Sequence, residues 1–184
     1  MSVTVLGMEQ RRPDAAVAEL ASQQRGLIRR EQALSSGMTA RMIQRRLSDG
    51  LWRPVHHGVY ALTGAPNDRA QDLRAALLHA GPESALSMHT AGRCHGCEEA
   101  LELPQIFLNV SDARGRSPLG VVWHRQIDMI AGDVTEIDGL PVTTIERTAM
   151  DLAAIISITR LRRLIESMIV HRGYEPWQFG EVLA

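Results

Sequence analysis

Residues 39–64 read TARMIQRRLSDGLWRPVHHGVYALTG, and the hydrophobic period changes in the middle of them. Up to Gly50 the pattern is helical. Ile43 and Leu47 stand four residues apart, Thr39 offers a hydroxyl at the N-cap position, and Gly50 supplies a stop. Past Gly50 the chain reads as extended: Leu51 to Val55, a tight turn at His56-His57-Gly58, and Val59 to Leu62, before Thr63 and Gly64 break it. A short helix followed by a small hairpin is the second half of a winged helix-turn-helix. The stretch upstream supplies the first half. From Asp14, DAAVAELASQQRG places Ala16 or Val17, Leu20 and Ala21 on one stripe and stops at Gly26. Leu27 and Ile28 read as a short apolar link, and RREQALSSG as a second short helix through Ala33 and Leu34. The first dozen residues have no clean periodicity and are expected to fray.

The third helix has two chemically different faces. Arg41, Gln44, Arg45 and Ser48 fall at i, i+3, i+4 and i+7 and share one side, while Ile43 and Leu47 point elsewhere. Arg binds the O6 and N7 edge of guanine through two donors, and Gln does the same for adenine, so such a face in a major groove discriminates sequence. Arg46 lies on the flank, placed for a phosphate. Arg29 and Arg30 open the preceding helix and suit backbone phosphates, contacts that position without specifying. The hairpin carries Arg53, His56 and His57, cations that a wing brings to an adjacent groove. The competing reading is a solvated face, or a helix-turn-helix that contacts protein rather than DNA.

The charge distribution favours an anionic partner for this half. The whole chain, 184 residues, has a formal net charge of −1, yet residues 1–63 carry nine Arg against five acids and residues 64–184 eleven Arg against sixteen acids. Between Arg25 and His57 the balance is seven Arg to two acids. With 45% hydrophobic and 22% charged residues, the chain has the composition of a soluble protein able to bury a core. No apolar run approaches the roughly 18–20 residues that cross a bilayer, and the N-terminus lacks the apolar run of a secretory signal, so no membrane is expected and the cytoplasm is the expected compartment.

The second half mixes helices and strands. Ala65-Pro66-Asn67-Asp68 marks the expected boundary between a domain at 1–64 and another at 65–184, with Asn67 or Asp68 capping the helix AQDLRAALLHAG. A second helix is expected from about Ser84 to Gly96. QIFLNV (105–110) and VVWHRQ (121–126) read as strands with the turn-rich SDARGRSPLG (111–120) between them, and DVTEIDGLPVTT as a hairpin centred on Asp138-Gly139. ERTAMDLAAII and ITRLRRLIESMIVHRG read as amphipathic helices, the latter with Leu161, Leu164, Ile165, Met168 and Ile169 as its apolar stripe. The fold class is therefore α+β: an N-terminal winged helix-turn-helix followed by a small mixed α/β domain.

The run from Arg25 to Gly64, RGLIRREQALSSGMTARMIQRRLSDGLWRPVHHGVYALTG, resembles the N-terminal domain of AbiEi-type antitoxins, transcriptional regulators of type IV toxin-antitoxin modules. LWRPVHHGVYAL is its most specific phrase. ALSMHTAGRCHG (85–96) and DVTEIDGLPVTTIERTAMDLA (133–153) look like stretches of the family's middle domain, and the likeness spans about Leu20 to Gly173. It implies a repressor of double-stranded operator DNA near its own promoter, in some members lowering synthesis of a nucleotidyltransferase toxin encoded alongside. By position, the reading helix is Thr39 to Asp49 and the wing Trp52 to Ala61. Binding to inverted repeats would imply two copies per operator, as a homodimer or in paired binding. The chain ends at Ala184, where the family's endonuclease-like third domain would begin, so the resemblance gives no basis for nuclease activity.

Other chemistry finds little support. His89, Cys94, His95 and Cys97 lie within nine residues and are the right donors for zinc, but Cys94 and His95 diverge by about 100° on a helix. A zinc hydrolase built on them is the enzyme rival to be tested; otherwise the cysteines fill apolar positions. Asp133, Glu136 and Asp138 cluster about a turn, where acids are usually solvated. Glu146 and Arg147 suggest helix-dipole or capping interactions, or an interdomain ion pair. The chain contains no Lys, and no phosphate-binding loop, G-x-S-x-G or H-E-x-x-H motif occurs. No enzyme and no cofactor is expected.

Overall fold

The computed structural model describes residues 12–98, 100–111, 117–125 and 129–180; the expected fraying of residues 1–11 and the centre of the 111–120 connection lie outside them. The chain divides into two compact units, Met1–Ala75 and Ala76–Ala184.

The first unit runs α1 (Pro13–Gln23), β1 (Leu27–Arg29), α2 (Arg30–Ser35), α3 (Ala40–Ser48), β2 (Trp52–His56), β3 (Val59–Leu62). Pro13 opens α1, where its missing N–H costs nothing, and Asp14 faces the positive end of the helix dipole. Thr39 Oγ1 accepts from the Met42 N–H at 3.2 Å and fixes the start of α3. The hairpin forms as expected, with a two-residue loop at His57-Gly58 in which Gly58 takes φ +73°. Leu27 and Ile28 are not a link. They form β1, an edge strand antiparallel to β3 in register Leu27↔Ala61, Ile28↔Tyr60 and Arg29↔Val59. A three-residue strand has too little sequence to show alternation, and it is stabilised by the β3 edge that the wing provides. The sheet order is β1-β3-β2. Val17, Ile28, Ala33, Met38, Ile43 and Trp52 form the core, with Leu20, Met42, Leu47 and Tyr60 packed on it. Every helix and the sheet contribute to this one cluster, so α3 is seated by its apolar face and its other face points outward.

Helix α4 (Arg69–Ala80) runs across the division, and Asp68 caps it by accepting the Gln71 N–H at 2.8 Å. The second unit continues β4 (Ser84–Leu86), α5 (Met88–Cys94), β5 (Ile106–Val110), β6 (Val121–Arg125), β7 (Val134–Ile137), β8 (Leu140–Thr143), α6 (Ile145–Ala153) and α7 (Ile158–Arg172). Its mixed sheet has the order β6-β5-β4-β8-β7, with β4 antiparallel to β5 and parallel to β8. The expected helix from Ser84 to Gly96 therefore starts late. Ser84, Ala85 and Leu86 are buried in the middle of the sheet, and the short apolar run is as compatible with a central strand as with a helix. Asp138 and Gly139 both take positive φ, +51° and +71°, the mirror-image turn that an Asp-Gly pair favours between antiparallel strands. The stripe on α7 is buried at Leu161, Leu164, Ile165 and Met168, against Ile145, Ala149 and Leu152 of α6 and against Phe179, with Ile169 partly buried beside them.

Candidate nucleic-acid interface

On α3 the exposed residues are Ala40 at its start and the polar Arg41, Gln44, Arg45 and Ser48, while Ile43 is 1% exposed beneath them. The side chains of Arg41 and Gln44 make no hydrogen bond or ion pair among the described residues. Arg45 lies over the last turn and pairs loosely with Asp49, Nε to Oδ2 at 3.4 Å, with 78% of its side chain exposed. A screened surface pair of this kind contributes at most about 1 kcal/mol and yields readily to a stronger anion. Ser48 Oγ donates back to the Gln44 carbonyl at 2.8 Å, which leaves the hydroxyl oxygen as an acceptor at the end of the face. The side is thus a row of donors held by a core-seated helix.

Several of the flanking residues are engaged within the first unit. Arg46 is engaged: its Nε and Nη2 both reach Asp14 Oδ1, at 3.2 and 2.7 Å, tying α3 to α1. Arg53 is engaged too, with Nη2 donating to Gln71 Oε1 at 2.7 Å and Asn67 Oδ1 at 3.2 Å, while Gln71 Nε2 donates to the Arg25 carbonyl. These contacts join β2 to the first turn of α4 and were invisible in the sequence, since partners 18 or 32 residues apart leave no local signature. Arg25 pairs with Asp68 at 2.6 Å, and the N–H of Gln71 and that guanidinium hold the Asp68 carboxyl below its ordinary range.

Arg29 and Arg30 are half-buried at the junction of β1 and α2. Arg29 Nε lies 3.4 Å from Glu31 Oε2, and its backbone N–H donates to Gln32 Oε1 at 2.9 Å. The Arg30 N–H donates to the Gly58 carbonyl at 2.8 Å, so the start of α2 is bonded directly to the turn of the wing. That bond sets the height of the wing relative to the helices. His57 is exposed at the tip and His56 is half-buried behind it. A bulge between Pro54 and His56 shifts the register there. Trp52 and Tyr60 stack across the two strands at 5.8 Å and stiffen the base of the hairpin.

The second unit resolves the residues singled out there. His95 uses both ring nitrogens: Nε2 lies 2.8 Å from the Thr143 carbonyl and Nδ1 3.0 Å from the Tyr174 hydroxyl. A carbonyl only accepts, so Nε2 carries the proton and Nδ1 accepts from Tyr174. Burial lowers the His95 pKa below its ordinary value, which agrees with a neutral ring. Cys97 is fully buried and donates to Met168 Sδ, and His89 Nδ1 accepts the Leu101 N–H at 3.2 Å. These engagements direct the donors apart, and no group of three His, Cys, Asp or Glu among the described residues is placed to hold a metal ion.

Arg147 corrects its expected role. It is not a capping or dipole residue but a buried clamp, Nη1 to Asp133 Oδ2 and Nε to Asp151 Oδ1, each at 3.0 Å. Asp151 also accepts from Asn109 of β5 at 3.2 Å, so the network joins β5, α6 and the start of β7. Asp133 is accordingly a structural ion-pair partner, while Glu136 and Asp138 are exposed.

Three short helices and a three-stranded antiparallel sheet in the order helix, strand, helix, helix, strand, wing, strand define a winged helix-turn-helix, with α3 as the helix that precedes the wing hairpin. Residues 16–63 match the family model of the transcriptional regulators described as AbiEi antitoxin. No curated protein matches the chain. Among solved structures, the crystal structure of the RV2827C protein from Mycobacterium tuberculosis is similar over 99% of this chain and 85% of that one, at 18% identity and a TM-score of 0.49. No helix among the described residues is long and apolar enough to cross a membrane.

Proposed function

We propose that the chain is a sequence-specific transcriptional repressor that binds double-stranded operator DNA through its first unit and regulates its own operon, of the toxin-antitoxin type, in the cytoplasm. Helix α3 enters the major groove. Arg41, Gln44 and Arg45 reach base edges, with Ser48 at the far end of the face and the Thr39 cap holding the near end close to the backbone. Arg29, Arg30 and the wing residues His56 and His57 take phosphates or the neighbouring groove. Arg46 and Arg53 hold the module's shape through Asp14 and Gln71, and turn to phosphate only by releasing those partners. Occlusion of the promoter is the output, and a toxin encoded alongside is the expected functional partner.

The observation that carries this reading is the pairing of Arg41 and Gln44, exposed and uncommitted, on the outward face of the helix that a winged module presents to DNA. Footprinting of the protein on the DNA upstream of its own gene tests it. A protected inverted repeat is the expected result, and it would also indicate two copies per operator. Absence of protection at moderate salt would overturn the autoregulatory reading.

A further inference from the structure

The second unit contains a cleft of about 520 Å³ between α5 and the start of α7, a size that accommodates a small organic ligand. Its walls are of two kinds. Leu101, Ile155 and Ile156 give an apolar side; His89, Arg160 and Arg163 give a side made of hydrogen-bond donors, and no carboxylate is among the described residues that line it.

His89 is 6% exposed, yet only one of its ring nitrogens is satisfied. The Leu101 N–H is a donor, so Nδ1 must accept it and the proton resides on Nε2. No described residue accepts from that Nε2–H. Arg160 and Arg163 likewise have no ion-pair partner among the described residues. Ser157 caps α7 by accepting the Arg160 N–H at 3.4 Å, so the positive end of a fifteen-residue helix faces the same space. Burial and the charge of Arg160 both lower the His89 pKa, keeping the ring a neutral donor. A fixed imidazole donor, two guanidinium groups and a helix dipole are suited to a doubly charged tetrahedral anion, and the apolar wall to an organic body attached to it.

We infer that this cleft binds a small organic phosphate, with His89, Arg160 and Arg163 as its recognition residues. The site lies wholly in the second unit and does not depend on how the first unit reads DNA. The test is calorimetric titration of the full chain with phenyl phosphate, inorganic phosphate and benzyl alcohol. Phenyl phosphate binds saturably and more tightly than inorganic phosphate, and benzyl alcohol does not bind. The double substitution Arg160→Gln/Arg163→Gln weakens phenyl phosphate by at least about tenfold, the loss expected when charge-assisted hydrogen bonds are removed, while the thermal midpoint of the ligand-free protein is unchanged. Both arginines are exposed, so the variant tests recognition rather than folding. Absence of saturable binding at about 10 mM phenyl phosphate, or binding that the double variant leaves intact, would overturn the inference.

Discussion

Arg147 and His95 show how single side chains fix the second unit and how each is tested. Arg147 and Asp151 have side chains 9% and 4% exposed, and the guanidinium serves Asp133 as well. Arg147→Met therefore leaves a buried carboxylate without its cation, and the expected loss is about 3–5 kcal/mol by urea denaturation. His95 acts through pH. Its pKa is lowered in the folded state by burial, so the unfolded chain binds more protons around and below 6.5. The stabilising effect of the neutral ring is present above that value and is lost as pH falls; His89, also lowered, acts in the same direction. Stability should decline from pH 7.5 to pH 5.5, and His95→Gln should flatten the decline while lowering stability at the upper end, as read by denaturation at several pH values. Neither role was legible in the sequence. The motif ERTAMDLA shows Arg147 and Asp151 at helical spacing, but only the fold places Asp133 against the same guanidinium.

At the scale of elements the reading from sequence was fullest where local chemistry decides the structure. Thr39 at an N-cap, Gly58 in a wing turn and Asp138-Gly139 between strands each name a backbone conformation, and each is found there. Thr39→Ala should lower the stability of the first unit by about 1 kcal/mol, as measured by thermal or chemical unfolding. Gly58→Ala meets no atom within 4 Å, so its effect is that of the left-handed backbone alone, about 1–2 kcal/mol, without loss of helical circular dichroism. The reading failed where an element is defined by its neighbour. β1 exists because β3 offers it an edge, and β4 because β5 and β8 flank it on both sides. Three residues carry too little periodicity to show this. For the candidate interface, the outward face of α3 was legible from the spacing of Arg41, Gln44 and Arg45. The engagement of Arg46 by Asp14 and of Arg53 by Gln71 was not, because it depends on side chains brought together by the tertiary fold.

For the molecule as a whole, charge is segregated along the chain, with an excess of Arg in residues 1–63 and of acids in residues 64–184. Binding driven by the first unit should weaken steeply with salt, with a log–log slope of about −0.9 for each phosphate neutralised. Salt dependence reports phosphate contacts only, so it does not by itself distinguish a sequence reader from a general DNA binder. The most direct test compares the protein and its Arg41→Ala/Gln44→Ala variant on the footprinted operator and on a scrambled duplex of the same length, at one ionic strength. The account predicts that the variant folds and retains its weak affinity for the scrambled duplex but loses about 1–3 kcal/mol of preference for the operator per bidentate contact removed. Undiminished discrimination by the variant would contradict it.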